Sequence, residues 1–268
     1  MAFLLCQVPS VLKYRQQLFN IPLMKSLGKI GDLIVVILAT TFIPRLVSIL
    51  TKQVYPFVSS LDPDNVFLYQ SIRHILLLLL PIVLMKLWLT RRLGNYGFNL
   101  NDYKRSIRIF FWFCLIYLVP VFFVNVLPHI INGKPPWFTY PVNARNIACK
   151  LSYMYLLTGT GEEPLFRGFA IILLSQSWKR VLRIWRIEIS SAALIATALF
   201  MIAHIKFTVF PFEFIYISWS QQVWAFGLGL YYAIVFQKTK SLLCPVLSHG
   251  YANGIIFTIL HIMAFIMK

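Results

Sequence analysis

Glu162 and Glu163 stand side by side between two apolar runs, residues 151–157 and 169–174. An ionisable residue near the centre of a bilayer costs roughly 2.5–3.5 kcal/mol even on lenient insertion scales. The chain has only 8 Asp and Glu residues, so two adjacent ones in that setting mark a functional site with partners to be named. Four residues on, Arg167 shares a helical face with Glu163, and the two make a natural ion pair. Glu162 lies about 100° away around the helix. It is the carboxylate left over for chemistry, and it is expected to feel mainly desolvation. Gly159 and Gly161 loosen the helix and Pro164 lacks a backbone donor. A half-helix is therefore expected to begin near Glu162, with its positive dipole end at the carboxylates.

Two further polar insertions interrupt apolar runs. Phe200-Met201-Ile202-Ala203-His204 ends one, and His249-Gly250-Tyr251-Ala252-Asn253 lies inside another. In each, residues four apart fall on one helical face. A buried glutamate, two histidines and an asparagine form a hydrolytic inventory. Low dielectric favours the neutral form of a carboxylate, which suits a general base that activates water. A histidine can hold that water, and a histidine with an asparagine can donate to a developing oxyanion. Simpler roles exist for each element taken alone. Intramembrane histidines commonly bond helix to helix, Gly250-x-x-x-Gly254 is a small-residue packing face, and Glu-Glu-Arg can be a buried clamp. His74, His129 and His261 are assigned to interfacial packing at the outer rim.

These residues must be positioned by membrane helices. The chain of 268 residues is 59% hydrophobic and 12% charged, with a mean hydropathy of +0.74, as a polytopic membrane protein is. Stretches near 31–50, 67–89, 109–131, 147–177, 188–206, 213–236 and 242–266 reach the roughly twenty apolar residues that a span needs. The fold class expected is an all-α transmembrane bundle of about seven spans, with an eighth left open. Its parts are an N-terminal cytoplasmic segment (1–30), N-terminal membrane helices (31–144) and a catalytic helical core (145–268). Straight helices with these bounds would set His204 about 6 Å and His249 about 7 Å from the level of Glu162, on opposite sides.

The net charge of +17 is not a nucleic-acid signature, because the basic residues sit in short groups between apolar runs. Alternate threading puts Lys13, Arg15, Lys25, Lys29, Arg91, Arg92, Lys104, Arg105, Arg108, Lys179, Arg180, Arg183, Arg186, Lys238 and Lys240 on one side. The other side receives Lys52, Lys134, Arg145, Lys206 and Lys268. That bias sets the N-terminus in the cytoplasm and the C-terminus on the opposite side. The four cysteines show no Cys-x-x-Cys and read as core-filling thiols.

The order Glu162-Glu163-x-x-x-Arg167, Phe200-x-x-x-His204, His249-x-x-x-Asn253 resembles the CPBP family of intramembrane proteases. That family includes the type II CAAX prenyl endopeptidases and the bacteriocin-immunity (Abi) proteins, and the similarity covers roughly residues 145–260. The resemblance implies an intramembrane endopeptidase, a hydrolase acting on a membrane-associated peptide or protein, prenylated or not, in a lipid bilayer. It implies Glu162 as base, His204 holding the water, and His249 with Asn253 at the oxyanion. Glu163, Arg167 and Phe200 would support the site. No cofactor is expected. Family members are often called metallopeptidases, and zinc is left open: Glu162, His204 and His249 would be its ligands on paper. The rival readings are a non-enzymatic immunity or partner-binding protein on the same scaffold, and an ion-coupled transporter.

Overall fold

Most of the apolar runs are occupied by helices. The computed structural model describes residues 27–87, 92–185, 187–209 and 212–267, so the expected N-terminal segment of 1–30 lies almost wholly outside the described residues. The helices are α1 (Gly28–Val54), α2 (Leu68–Leu87), α3 (Tyr103–Val121) with α4 (Leu127–Asn132), α5 (Ala144–Ser152), α6 (Thr158–Glu163) and α7 (Ile172–Leu174). After these come α8 (Ser191–Ala203), α9 (Trp219–Thr239) and α10 (Leu243–Ile266). Among the described residues, 4 helices are long and apolar enough to cross a membrane: Gly28–Phe57, Leu68–Leu87, Tyr103–Asn132 and Leu243–Ile266. The outward face of α3, with Phe111, Trp112, Ile116 and Val119 exposed, presents hydrocarbon as a lipid-facing helix must. The molecule is a helical membrane protein, and the expected count of seven spans is finer than these helices establish.

Two regions depart from the expected spans. The run at 188–206 holds only the 13 residues of α8, about 20 Å long against a hydrocarbon core of about 30 Å. Antiparallel hairpins flank it, β1 (Val181–Ile184) with β2 (Ile187–Ser190) before it and β3 (Lys206–Val209) with β4 (Phe212–Tyr216) after it. The run at 213–236 likewise begins as strand and becomes helix only at Trp219. Hydropathy does not distinguish these states, because a short apolar run can be strand or helix. Cross-strand pairs decide: Arg183 bonds Glu188 opposite it at 3.1 Å, and Phe207 faces Phe214, the kind of contact that stabilises a two-stranded ladder. The hydroxyl of Ser190 then accepts the Ala193 N–H and starts α8, as an N-cap does.

Residues 144–174 form one unbroken helical segment. α5, α6 and α7 are joined by π-helical turns at Tyr153–Leu157 and Pro164–Ile171. The expected half-helix start at Glu162 is therefore corrected. Proline clashes with the carbonyl four residues back in an α-helix, but the wider π turn, with its i→i+5 bonding, takes up the missing donor and the chain continues. The glutamates sit at the last turn of α6, between the two π segments, and the helix runs on through them.

Glycines let the neighbours of this segment close in. A Cβ on Gly159 would overlap the Val246 carbonyl of α10, and one on Gly250 would overlap the Tyr155 carbonyl. One on Gly254 would come within 2.6 Å of the Tyr155 ring. Gly250-x-x-x-Gly254 is thus the packing face expected of small residues between membrane helices. Gly161 does the same for α2, whose His74 Cβ and carbonyl would lie 2.9 Å from an added Cβ. At the start of α2 the Asp62 carboxylate accepts the N–H groups of Val66, Phe67 and Leu68 at 3.0, 2.9 and 2.8 Å. Burial pushes that carboxyl upward, but the three amides and Arg145 outweigh it and leave it below the usual carboxylate range.

Candidate active site

The helix turn that ends α6 points its two carboxylates into different surroundings. Glu163 is fully buried and accepts Arg167 Nη1 at 3.1 Å, as the four-residue spacing predicts. Arg167 Nη2 donates onward to the Gly229 carbonyl of α9 at 2.9 Å. The guanidinium lies 4.4 Å from the centre of the Phe200 ring and 5.4 Å from that of Tyr232. Phe200 is therefore a floor for the arginine, which gives its supporting place a physical basis in cation–π attraction. A buried pair that is also hydrogen-bonded on its far side is the arrangement that withstands desolvation.

Sequence spacing gave no sign of a second bond on Glu163. The same oxygen, Oε1, accepts His249 Nδ1 of α10 at 2.7 Å. A carboxylate orienting an imidazole through Nδ1 fixes the ring and its tautomer. His249 also stacks on Tyr232 at 5.2 Å with planes 13° apart. Its Nε2 then faces Glu162, 3.9 Å from Oε2. The offset predicted between Glu162 and His249 is absent, because the glycine contacts of α10 bring the two level.

Glu162 keeps some access, at 16% of its side chain. Its other oxygen, Oε1, lies 3.4 Å from Nε2 of His74 on α2. His74 is buried and is not a residue of the outer rim, so its assignment to interfacial packing is corrected. Burial is joined at Glu162 by two imidazoles, which flank the carboxylate. His129 and His261 keep company with the 134–140 loop, through the Lys134 carbonyl and through Phe138 and Tyr140.

His204 follows the last turn of α8, with Nδ1 2.7 Å from the Phe200 carbonyl. A carbonyl only accepts, so Nδ1 carries the hydrogen and Nε2 offers a lone pair. The ring rests against Phe200, 4.6 Å between centres. Asn253, one turn beyond His249 on α10, is partly buried. A catalytic zinc takes about three protein ligands. Among the described residues no three His, Cys, Asp or Glu side chains are grouped so as to hold a metal ion, so the paper ligand set Glu162, His204 and His249 does not form one here.

A buried carboxylate–imidazole cluster, built from helices inside a membrane bundle, defines the class: an intramembrane site with the groups of a hydrolase. Residues 144–255 match the family model described as Type II CAAX prenyl endopeptidase Rce1-like. That match, over less than half of the chain, supports the CPBP/CAAX protease resemblance read from the sequence motifs. The match holds every site residue expected from the sequence, while α1, α2 and α3 lie outside it. No curated protein and no solved structure matches the chain.

Proposed function

We propose that this protein is an intramembrane endopeptidase that hydrolyses a peptide bond of a membrane-associated protein, with a CAAX-type prenylated C-terminus as the substrate class. Glu162 Oε2 takes a proton from water. The oxygen of that water adds to the scissile carbonyl carbon, and Glu162 returns the proton to the leaving nitrogen as the C–N bond breaks. His204 accepts the water's other hydrogen at Nε2. His249, held through Nδ1 by Glu163, and the Asn253 amide stabilise the oxyanion. No step is assigned to a metal. The observation that carries this reading is the split of roles on one helix turn: Glu163 Oε1 is taken by Arg167 and His249, while Glu162 keeps an oxygen 3.9 Å from His249 Nε2.

The test is cleavage of a quenched farnesylated CAAX peptide by purified protein in liposomes. Glu162→Gln keeps shape and removes the base, so turnover should fall by about 10²–10⁴-fold. A partner-binding protein would tolerate that variant, whereas a transporter using the carboxylates for ion coupling would transport in liposomes and cleave no peptide as wild type. We place the N-terminus in the cytoplasm and the C-terminus opposite. Reporter fusions after Lys29, Arg105, Arg183 and Lys240 should read cytoplasm, and fusions at Asp64 and Lys268 the other side; a cytoplasmic C-terminus would refute the threading.

A further inference from the structure

His74 lies on α2, outside the segment that carries the family match, yet it is the closest imidazole to Glu162 that the ion-pair geometry records. Its proton inventory follows from its two neighbours. Nδ1 is 2.8 Å from the Gln70 carbonyl, one turn back on the same helix, and a carbonyl can only accept, so Nδ1 bears a hydrogen. Nε2 points at Glu162 Oε1, 3.4 Å away. In a neutral ring that nitrogen would aim a lone pair at a carboxylate oxygen, which is repulsive. A proton between them removes that repulsion. Unperturbed imidazole holds a proton about two units more tightly than glutamate does, and the resulting opposite charges reinforce that choice. The placement is built rather than incidental. Gly161, next to Glu162, leaves just enough room for the His74 backbone and Cβ, and Tyr153 sets its ring edge-on at 5.3 Å.

We infer that His74 is a positioning residue that stands as an imidazolium on Glu162 Oε1, keeping the carboxylate charged and aiming Oε2 as its basic oxygen. The inference rests on the reading of Glu162 as the base. During turnover the water proton goes to Oε2 and leaves with the amine, while the His74 proton stays where it is, so the cycle returns to its starting state. The titratable and charged groups around Glu162 are His74 of α2, His204 after α8, His249 of α10, and Tyr153, Glu163 and Arg167 of its own helical segment. Tyr232 of α9 stands behind His249. His74 meets Oε1, and His249 meets Oε2.

The experiment has two readouts on the full chain in lipid nanodiscs. The first is ¹⁵N-histidine NMR near neutral pH, with the His74 signals identified by their loss in His74→Phe. Wild type should show both His74 nitrogens protonated, and Glu162→Gln should return the ring to the neutral Nδ1–H tautomer. A neutral His74 in wild type would overturn the inference. The second is the pH–rate profile of His74→Phe on the farnesylated peptide. Phenylalanine keeps the ring against Tyr153 and removes Nε2. We expect kcat lower by about 10–100-fold, the size seen for residues that orient a reactive group, with KM unchanged and the acid limb moved to higher pH. An unchanged acid limb and kcat alongside an inactive Glu162→Gln would refute His74 alone. An active Glu162→Gln would refute the base assignment itself. Should His74→Phe not fold, the protonation state is still read from wild type and Glu162→Gln, with peaks assigned by elimination from His129→Phe, His204→Phe, His249→Phe and His261→Phe.

Discussion

The two faces of one helix turn differ as much as any two regions of the molecule. On one, Glu163 is closed in by Arg167, Gly229, Phe200, Tyr232 and His249, with no measurable exposure. On the other, Glu162 meets the Nε2 atoms of His74 and His249 at 3.4 and 3.9 Å and remains partly accessible. Neighbouring residues of the same type are thereby given separate duties. The closed face fixes helices α9 and α10 around the arginine, and the open face keeps an oxygen for reaction. The closed face is not inert, because Glu163 also sets the tautomer of the histidine that faces the open side.

The largest structural effect should come from opening the closed face. Glu163→Gln leaves Arg167 without its counter-charge in a dry setting, and breaking one side of a buried pair costs about 3–5 kcal/mol. Thermal unfolding in detergent should show this, with Arg167→Gln added to Glu163→Gln recovering part of the loss. Because His249 loses its carboxylate, turnover should stay low in the double variant even where stability returns. Full recovery of both would mean that Glu163 is only a clamp.

A smaller effect is expected where α10 meets the helical segment of 144–174. Gly250→Ala drives its new Cβ into the Tyr155 carbonyl, and overpacking of this kind costs about 1–3 kcal/mol. Gly227, with open space around its Cβ position, is the matched control. There alanine should be neutral or stabilise α9 by about 0.5–1 kcal/mol.

The smallest effect concerns Asp62, outside the spans. Its carboxyl is held below the ordinary range, so the folded state binds its proton less readily than the unfolded chain does. That stabilisation is fully present above the unfolded value, near 3.9, and disappears as pH falls through the lower folded value. Asp62→Ala should cost about 1 kcal/mol at neutral pH, and unfolding midpoints of wild type and variant should converge on acidification.

Much of the site was legible in the sequence, because helical periodicity is local. Glu163 with Arg167 follows from a spacing of four, and Phe200 with His204 and His249 with Asn253 share faces for the same reason. The Glu163–His249 bond and the approach of His74 to Glu162 were not legible. They join residues on separate helices, and only the glycine contacts of Gly159, Gly161 and Gly250 set the helix levels that make them. His74 offered one signal, a lone histidine in an apolar run, which reads equally well as packing. The hairpins around α8 were hidden because β-branched apolar residues score as membrane-spanning whichever way they fold. Pro164 misled for a related reason, since its local rule assumes α rather than π turns.

The central claim is that chemistry belongs to Glu162 and architecture to Glu163. The direct measurement is kcat on the farnesylated peptide together with the unfolding midpoint, for Glu162→Gln and Glu163→Gln side by side. Glu162→Gln should lose turnover by about 10²–10⁴-fold while unfolding near the wild-type midpoint, and Glu163→Gln should show the large loss of midpoint. A fully stable Glu163→Gln without activity, beside an active Glu162→Gln, would reverse the two roles and contradict the account.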